Sequence, residues 1–83
     1  MEFELSRHAS EVIFEREIEI LWIERTLENP GLVRVDSEDV DLEHRFKRIE
    51  ESDNRILRVV VNKSAKPIRI VTVYFDRKMK GRL

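Results

Sequence analysis

The chain has no cysteine and no glutamine, and among its 83 residues only two glycines and two prolines. Without cysteine there is no disulfide framework and no thiolate metal site. Two histidines, His8 and His44, are too few and too far apart in sequence to argue a zinc site. No glycine-rich phosphate loop, no dinucleotide fingerprint and no G-x-S-x-G elbow occurs. No apolar run approaches the length of a membrane span, and MEFELSRHAS lacks the cationic, apolar and cleavage-site order of a signal peptide. The expectation is a cytoplasmic protein with no membrane contact and no cofactor or metal. A chain this short forms one domain, residues 1–83, with a small core.

What the chain has in plenty is charge. Charged residues make up 40% of it. Dense Glu, Lys and Arg with few thermolabile side chains is a tendency of thermophile proteins. The net charge of −1 conceals a split. Residues 1–54 carry 16 acidic and 7 basic side chains, a net of −9, whereas residues 55–83 carry 1 and 9, a net of +8. A basic segment of this kind suits a polyanion-binding surface. The competing explanation is that the acidic half neutralises the basic half internally.

Periodicity predicts the elements. Residues 2–5 alternate as a short edge strand. Ser6 is placed to cap a helix from Arg7 to Arg16, with Ala9, Val12 and Ile13 on its apolar face. Glu17 and Ile18 break the helix, and a second one runs from about Glu19 to Leu27 or Glu28 on a stripe of Ile20, Ile23 and Leu27, with Trp22 beside it. Asn29-Pro30-Gly31 stops it. Strands follow at Leu32–Val35, at Glu43–Glu50 as a polar, edge-like strand, at Arg55–Asn62 and at Ile68–Phe75. Residues 36–43 form an acidic connection, Ser52-Asp53-Asn54 a turn, and residues 76–83 a basic tail expected to be disordered without a partner. Helices first and strands after predict an α+β fold: two N-terminal helices packed on one face of a mostly antiparallel sheet of about four strands.

Alternation then assigns faces. Leu57, Val59 and Val61 are expected under the helices with Val71, Val73 and Phe75, leaving Arg58, Thr72 and Tyr74 on the open face beside Arg48 or Lys47. Arginine pairs with phosphate through two parallel hydrogen bonds, and tyrosine stacks a base or shares a proton. His8 opens the first helix, where anions are favoured, and histidine is the side chain that most often moves protons near neutral pH. Arg16 lies two turns further on. The plain alternative is that Arg58 and Tyr74 are ordinary solvent-facing strand residues and His8 a capping residue.

SRHASEVIFEREI, WIERTLENP, RILRVVVN and IVTVYF, in that order, resemble a family of short prokaryotic domains of unknown function. Its pattern is Ser/Thr-x-His-Ala, an arginine eight residues after the histidine, a helix ending in Asn-Pro and a closing Thr-Val-Tyr strand. That family is similar to the RelE/ParE toxin superfamily, which includes ribosome-dependent mRNA endonucleases encoded beside small antitoxins. The resemblance implies a RelE-like fold and a metal-independent ribonuclease or RNA-binding role. It also implies RNA, on the ribosome, as substrate and a small antitoxin-like partner. His8, Arg16, Arg58, Thr72 and Tyr74 fall on its marked positions. The expected catalytic set is therefore His8, Arg16, Arg58 and Tyr74, with Arg48, Thr72, Lys78, Lys80 and Arg82 contacting RNA. The alternative is a module on the same scaffold that binds protein or nucleic acid without chemistry. The family usually has Gly at Glu17 and Ser or Thr at Glu19, both at the helix break.

Overall fold

The computed structural model describes residues 1–83. Its elements are β1 (Phe3–Leu5), α1 (Arg7–Glu15), α2 (Ile20–Glu28), β2 (Leu32–Val35), β3 (Leu42–Ile49), β4 (Arg55–Asn62) and β5 (Ile68–Phe75). The fold is α+β, as expected, but the sheet has five strands, in the order β1-β5-β4-β3-β2. It is mixed, because β1 runs parallel to β5 while the other pairings are antiparallel. The polar strand β3 lies inside the sheet and not at an edge; β2 holds that edge. Its charges are tolerated there because neighbours pair them, as Arg45 with Glu43 at 2.9 Å and His44 with Asp36 at 2.6 Å.

Local chemistry explains the helix boundaries. Ser6 caps α1 by accepting from the Ala9 amide at 3.0 Å, while its hydroxyl donates to the Val71 carbonyl at 2.8 Å and so ties the helix start to β5. At the far end, the Glu17 amide donates to the Phe14 carbonyl and the Ile18 amide to the Ile13 carbonyl. Glu17 has φ 53, so the pair of bonds is a Schellman motif with a non-glycine residue in the left-handed position. Asp53 and Asn54, both at φ 56, turn the chain into β4.

Both helices pack on one face of the sheet. Ala9, Ile18, Trp22, Ile23 and Leu27 close on Ile49, Leu57, Val59, Val61, Ile70 and Val73. The burial of Leu57, Val59 and Val61 under Ile23 and Leu27 follows the alternation of β4. Two details differ. Trp22 joins the core, with its ring 5.9 Å from that of Phe75, whereas Ile20 is 43% exposed at the first position of α2. In β5 a bulge shifts the register between Val60 and Val61, so Ile70 enters the core and Val71 is left half-buried.

Residues 76–83, expected as a disordered tail, fold back on the opposite face. Asp76 caps a 3₁₀ turn at Arg77–Met79, and Met79 is buried against Phe46 and Ile56. Burial of Met79 in this apolar cluster holds the basic segment against the sheet. No helix is long and apolar enough to cross a membrane.

Candidate functional site

Because β1 ends at Leu5, its neighbour β5 runs on alone, and α1 begins where β1 stops. The second half of β5 and the face of α1 therefore bound a cleft of about 910 Å³. His8, in the first turn of α1, reaches over the strand, and its Nε2 lies 3.1 Å from the Thr72 hydroxyl. Arg16, the C-cap of α1, lines the same cleft, as does Tyr74, a residue 40% exposed. Four of the sequence-derived candidates, His8, Arg16, Thr72 and Tyr74, thus share one wall and floor.

Arg58 is placed otherwise. It stands opposite Tyr74 on β4, with its guanidinium 5.7 Å from the Tyr74 ring centre and 4.9 Å from that of Phe46. Its Nε donates to His44 Nδ1 at 2.9 Å and its Nη1 to Asp76 Oδ2 at 2.7 Å. It supports the cleft from behind and does not line it. Arg48 points elsewhere and pairs with Glu50 at 3.6 Å. Lys80 lines the cleft while pairing with Asp53 at 3.1 Å. Lys78 and Arg82 are exposed outside it.

Three groups that shape the site were not singled out in the sequence. Arg55 lines the cleft with its guanidinium 3.9 Å from the Phe75 ring centre, Arg77 lines it from the 3₁₀ turn, and Asp76 lines it while accepting a hydrogen bond from Arg58. Asp76 did carry a signal: it is the one acidic residue among positions 55–83.

Charge in the cleft is uneven. Arg16, Arg55, Arg77 and Lys80 face Glu15 and Asp76, and Asp76 is already matched by Arg58. Arg16 and Arg77 take part in no ion pair. Only Lys63–Glu43 at 3.7 Å and Lys80–Asp53 at 3.1 Å join the acidic and basic halves, so internal neutralisation leaves most of the basic segment unpaired. No three His, Asp or Glu side chains converge as a metal-ligand set.

The family model described as a domain of unknown function, DUF4258, matches residues 5–75. The chain belongs to that family. No curated protein and no solved structure matches it. The stretch matched in this DUF4258 domain runs from the end of β1 through β5, so it includes His8, Arg16, Thr72 and Tyr74. It stops before Asp76, and before Arg77 and Lys80, which complete the basic side of the cleft.

Proposed function

We propose that this DUF4258 domain is a toxin-like RNA-binding and RNA-cleaving module. The observation that carries the reading is the meeting of a histidine, a tyrosine and two unpaired arginines, Arg16 and Arg77, in one open cleft. Single-stranded RNA offers what such a cleft takes: phosphate for the guanidinium groups and a base face for Tyr74. In the reaction the ribose 2′-oxygen attacks its own phosphorus. The O2′–P bond forms, the P–O5′ bond breaks, and the products are a 2′,3′-cyclic phosphate and a 5′-hydroxyl. The proton leaving the 2′-hydroxyl and the proton reaching the 5′-oxygen need carriers, and His8 and Tyr74 are the two cleft groups suited to both. Arg16 and Arg77 stand where negative charge grows on the phosphate oxygens. Arg58 changes role from phosphate ligand to support for Tyr74 and Asp76. The resemblance to the RelE/ParE superfamily, two helices over one sheet face included, favours a cytoplasmic setting, the ribosome as the place of action and a small antitoxin-like partner that covers the cleft.

A second reading, a non-catalytic binding module, is favoured by one fact: the Arg58 guanidinium is already committed to His44 and Asp76. Cleavage assays with free and ribosome-bound RNA separate the two. The catalytic reading expects cyclic-phosphate ends, lost in His8→Ala and Tyr74→Phe with RNA affinity kept. Binding without cleavage in the wild type leaves the second reading. Either way, log affinity should fall with log salt by about 0.7 for each phosphate held. Arg16→Ala and Arg77→Ala should each flatten that slope, and an unchanged slope in both would refute the cleft as the RNA site.

A further inference from the structure

A line of hydrogen-bonded polar side chains crosses the sheet face away from the helices, from the end of β2 through β3 and β4 to the end of β5. Asp36, just past β2, accepts a hydrogen bond from His44 Nε2 at 2.6 Å. His44 Nδ1 accepts from Arg58 Nε at 2.9 Å, and Arg58 Nη1 donates to Asp76 at 2.7 Å. The other Asp76 oxygen accepts the Lys78 amide at 3.0 Å, which caps the 3₁₀ turn carrying Arg77. Every carboxylate, ring nitrogen and guanidinium in this line has a partner, in surroundings where the Asp76 and His44 side chains are only 10% and 13% exposed.

The line has a direction. Arginine can only donate, so His44 Nδ1 must be bare and the single ring proton must sit on Nε2, facing Asp36. The hydrogen bond from His44 and the backbone amides of Glu38 and Asp39 hold the Asp36 carboxyl below its usual range, which keeps it an acceptor.

We infer that His44, oriented by Asp36, is a positioning residue for the cleft: its neutral ring fixes Arg58 against Asp76 and thereby sets the turn that presents Arg77 and the ring of Tyr74. The relay stands on its own geometry, and its effect on RNA rests on the function proposed above. Replacing His44 with leucine removes the acceptor of Arg58. Glutamine supplies an acceptor and a donor at similar spacing and cannot take up a proton. His44 faces Asp36 and, in register, Arg34 from the β2 side and Arg58 from β4.

Nuclear magnetic resonance of the ligand-free protein tests this first. The expected result is a bare Nδ1 and a protonated Nε2 on His44. In His44→Leu, exchange of the Arg58 Nε–H and Lys78 amide protons should speed by roughly tenfold or more, as for loss of one charge-assisted hydrogen bond. In His44→Gln it should stay near wild type. The opposite tautomer, or unchanged exchange in His44→Leu, overturns the relay. The second arm is RNA affinity, expected to weaken about tenfold in His44→Leu and to recover in His44→Gln. Unchanged affinity in His44→Leu, in a protein where Arg77→Ala does weaken binding, overturns the positioning role. If Arg77→Ala leaves affinity unchanged, the positioning role falls; if Arg16→Ala does so as well, the RNA reading falls with it and the relay is judged by exchange alone.

Discussion

Val59 and Val40 allow the same chemical deletion at opposite extremes of burial. Val59 is 0% exposed in the middle of β4, beneath α2, and Val40 is 76% exposed in the connection before β3. Valine to alanine removes two carbon groups, a transfer loss of about 1.6 kcal/mol for a fully buried side chain. The walls around Val59 come from β4, its neighbouring strands and α2, so they cannot all close in, and the residual cavity brings the cost of Val59→Ala to about 2–3 kcal/mol. A domain of this length has a stability of roughly 4–12 kcal/mol in total, so that loss is a large share of it. The melting temperature should fall by roughly 10–20 °C. Val40→Ala should stay within about 0.5 kcal/mol of wild type. Urea denaturation of the three proteins at neutral pH measures both. A Val59→Ala cost below about 1 kcal/mol, or a matching cost for Val40→Ala, would refute the placement of β4 at the centre of the core.

Ser6→Ala removes both the cap on α1 and the bond to the Val71 carbonyl, and should cost about 1–2 kcal/mol in the same assay; Ser6→Thr, which keeps both groups, should recover most of it. Glu17 occupies a left-handed position that glycine takes without strain, so Glu17→Gly should be neutral or stabilising by up to about 1 kcal/mol, and a clear loss of stability would contradict the Schellman geometry. The hydrogen bonds from Arg25 hold the Glu51 carboxyl down at about 2, against an ordinary 4.5. The stability this pair contributes is present in full above pH 4.5 and lost as pH falls toward about 2. Glu51→Gln should therefore show a shallower loss of stability across that window than the wild type, and identical acid titrations would count against the pair.

Residues whose neighbours in space are also neighbours in sequence were legible. The Leu32–Val35, Arg55–Asn62 and Ile68–Phe75 strands, the Ser6 cap and the burial of Leu57, Val59 and Val61 follow from local pattern alone. Alternation failed along β5 because a single bulge reverses every side chain on one side of it, and Val71 and Ile70 changed places. The fold-back of residues 76–83 was hidden because lysine and arginine surround the one methionine that anchors it. His8, Arg16, Thr72 and Tyr74 were legible as candidates through the family resemblance. The commitment of Arg58 was not, because it depends on Asp76 and His44, 18 and 14 residues away, and no periodicity connects them.

The placement of β5 has a consequence for how the protein comes into being. β5 is the last strand in the chain, yet it lies between β4 and β1 and is the only partner of β1, with Phe3 matched to Ile68. Synthesis therefore makes β1 before the other strands of the sheet and its partner after them. Until Ile68–Phe75 has left the ribosome, the helices have no Ile70 or Val73 to close on, and the segment already exposed carries most of the negative charge. Closing so long a loop is slow relative to forming the β3–β4 hairpin. The α1 side of the core and the cleft between α1 and β5 thus form only once β5 is in place.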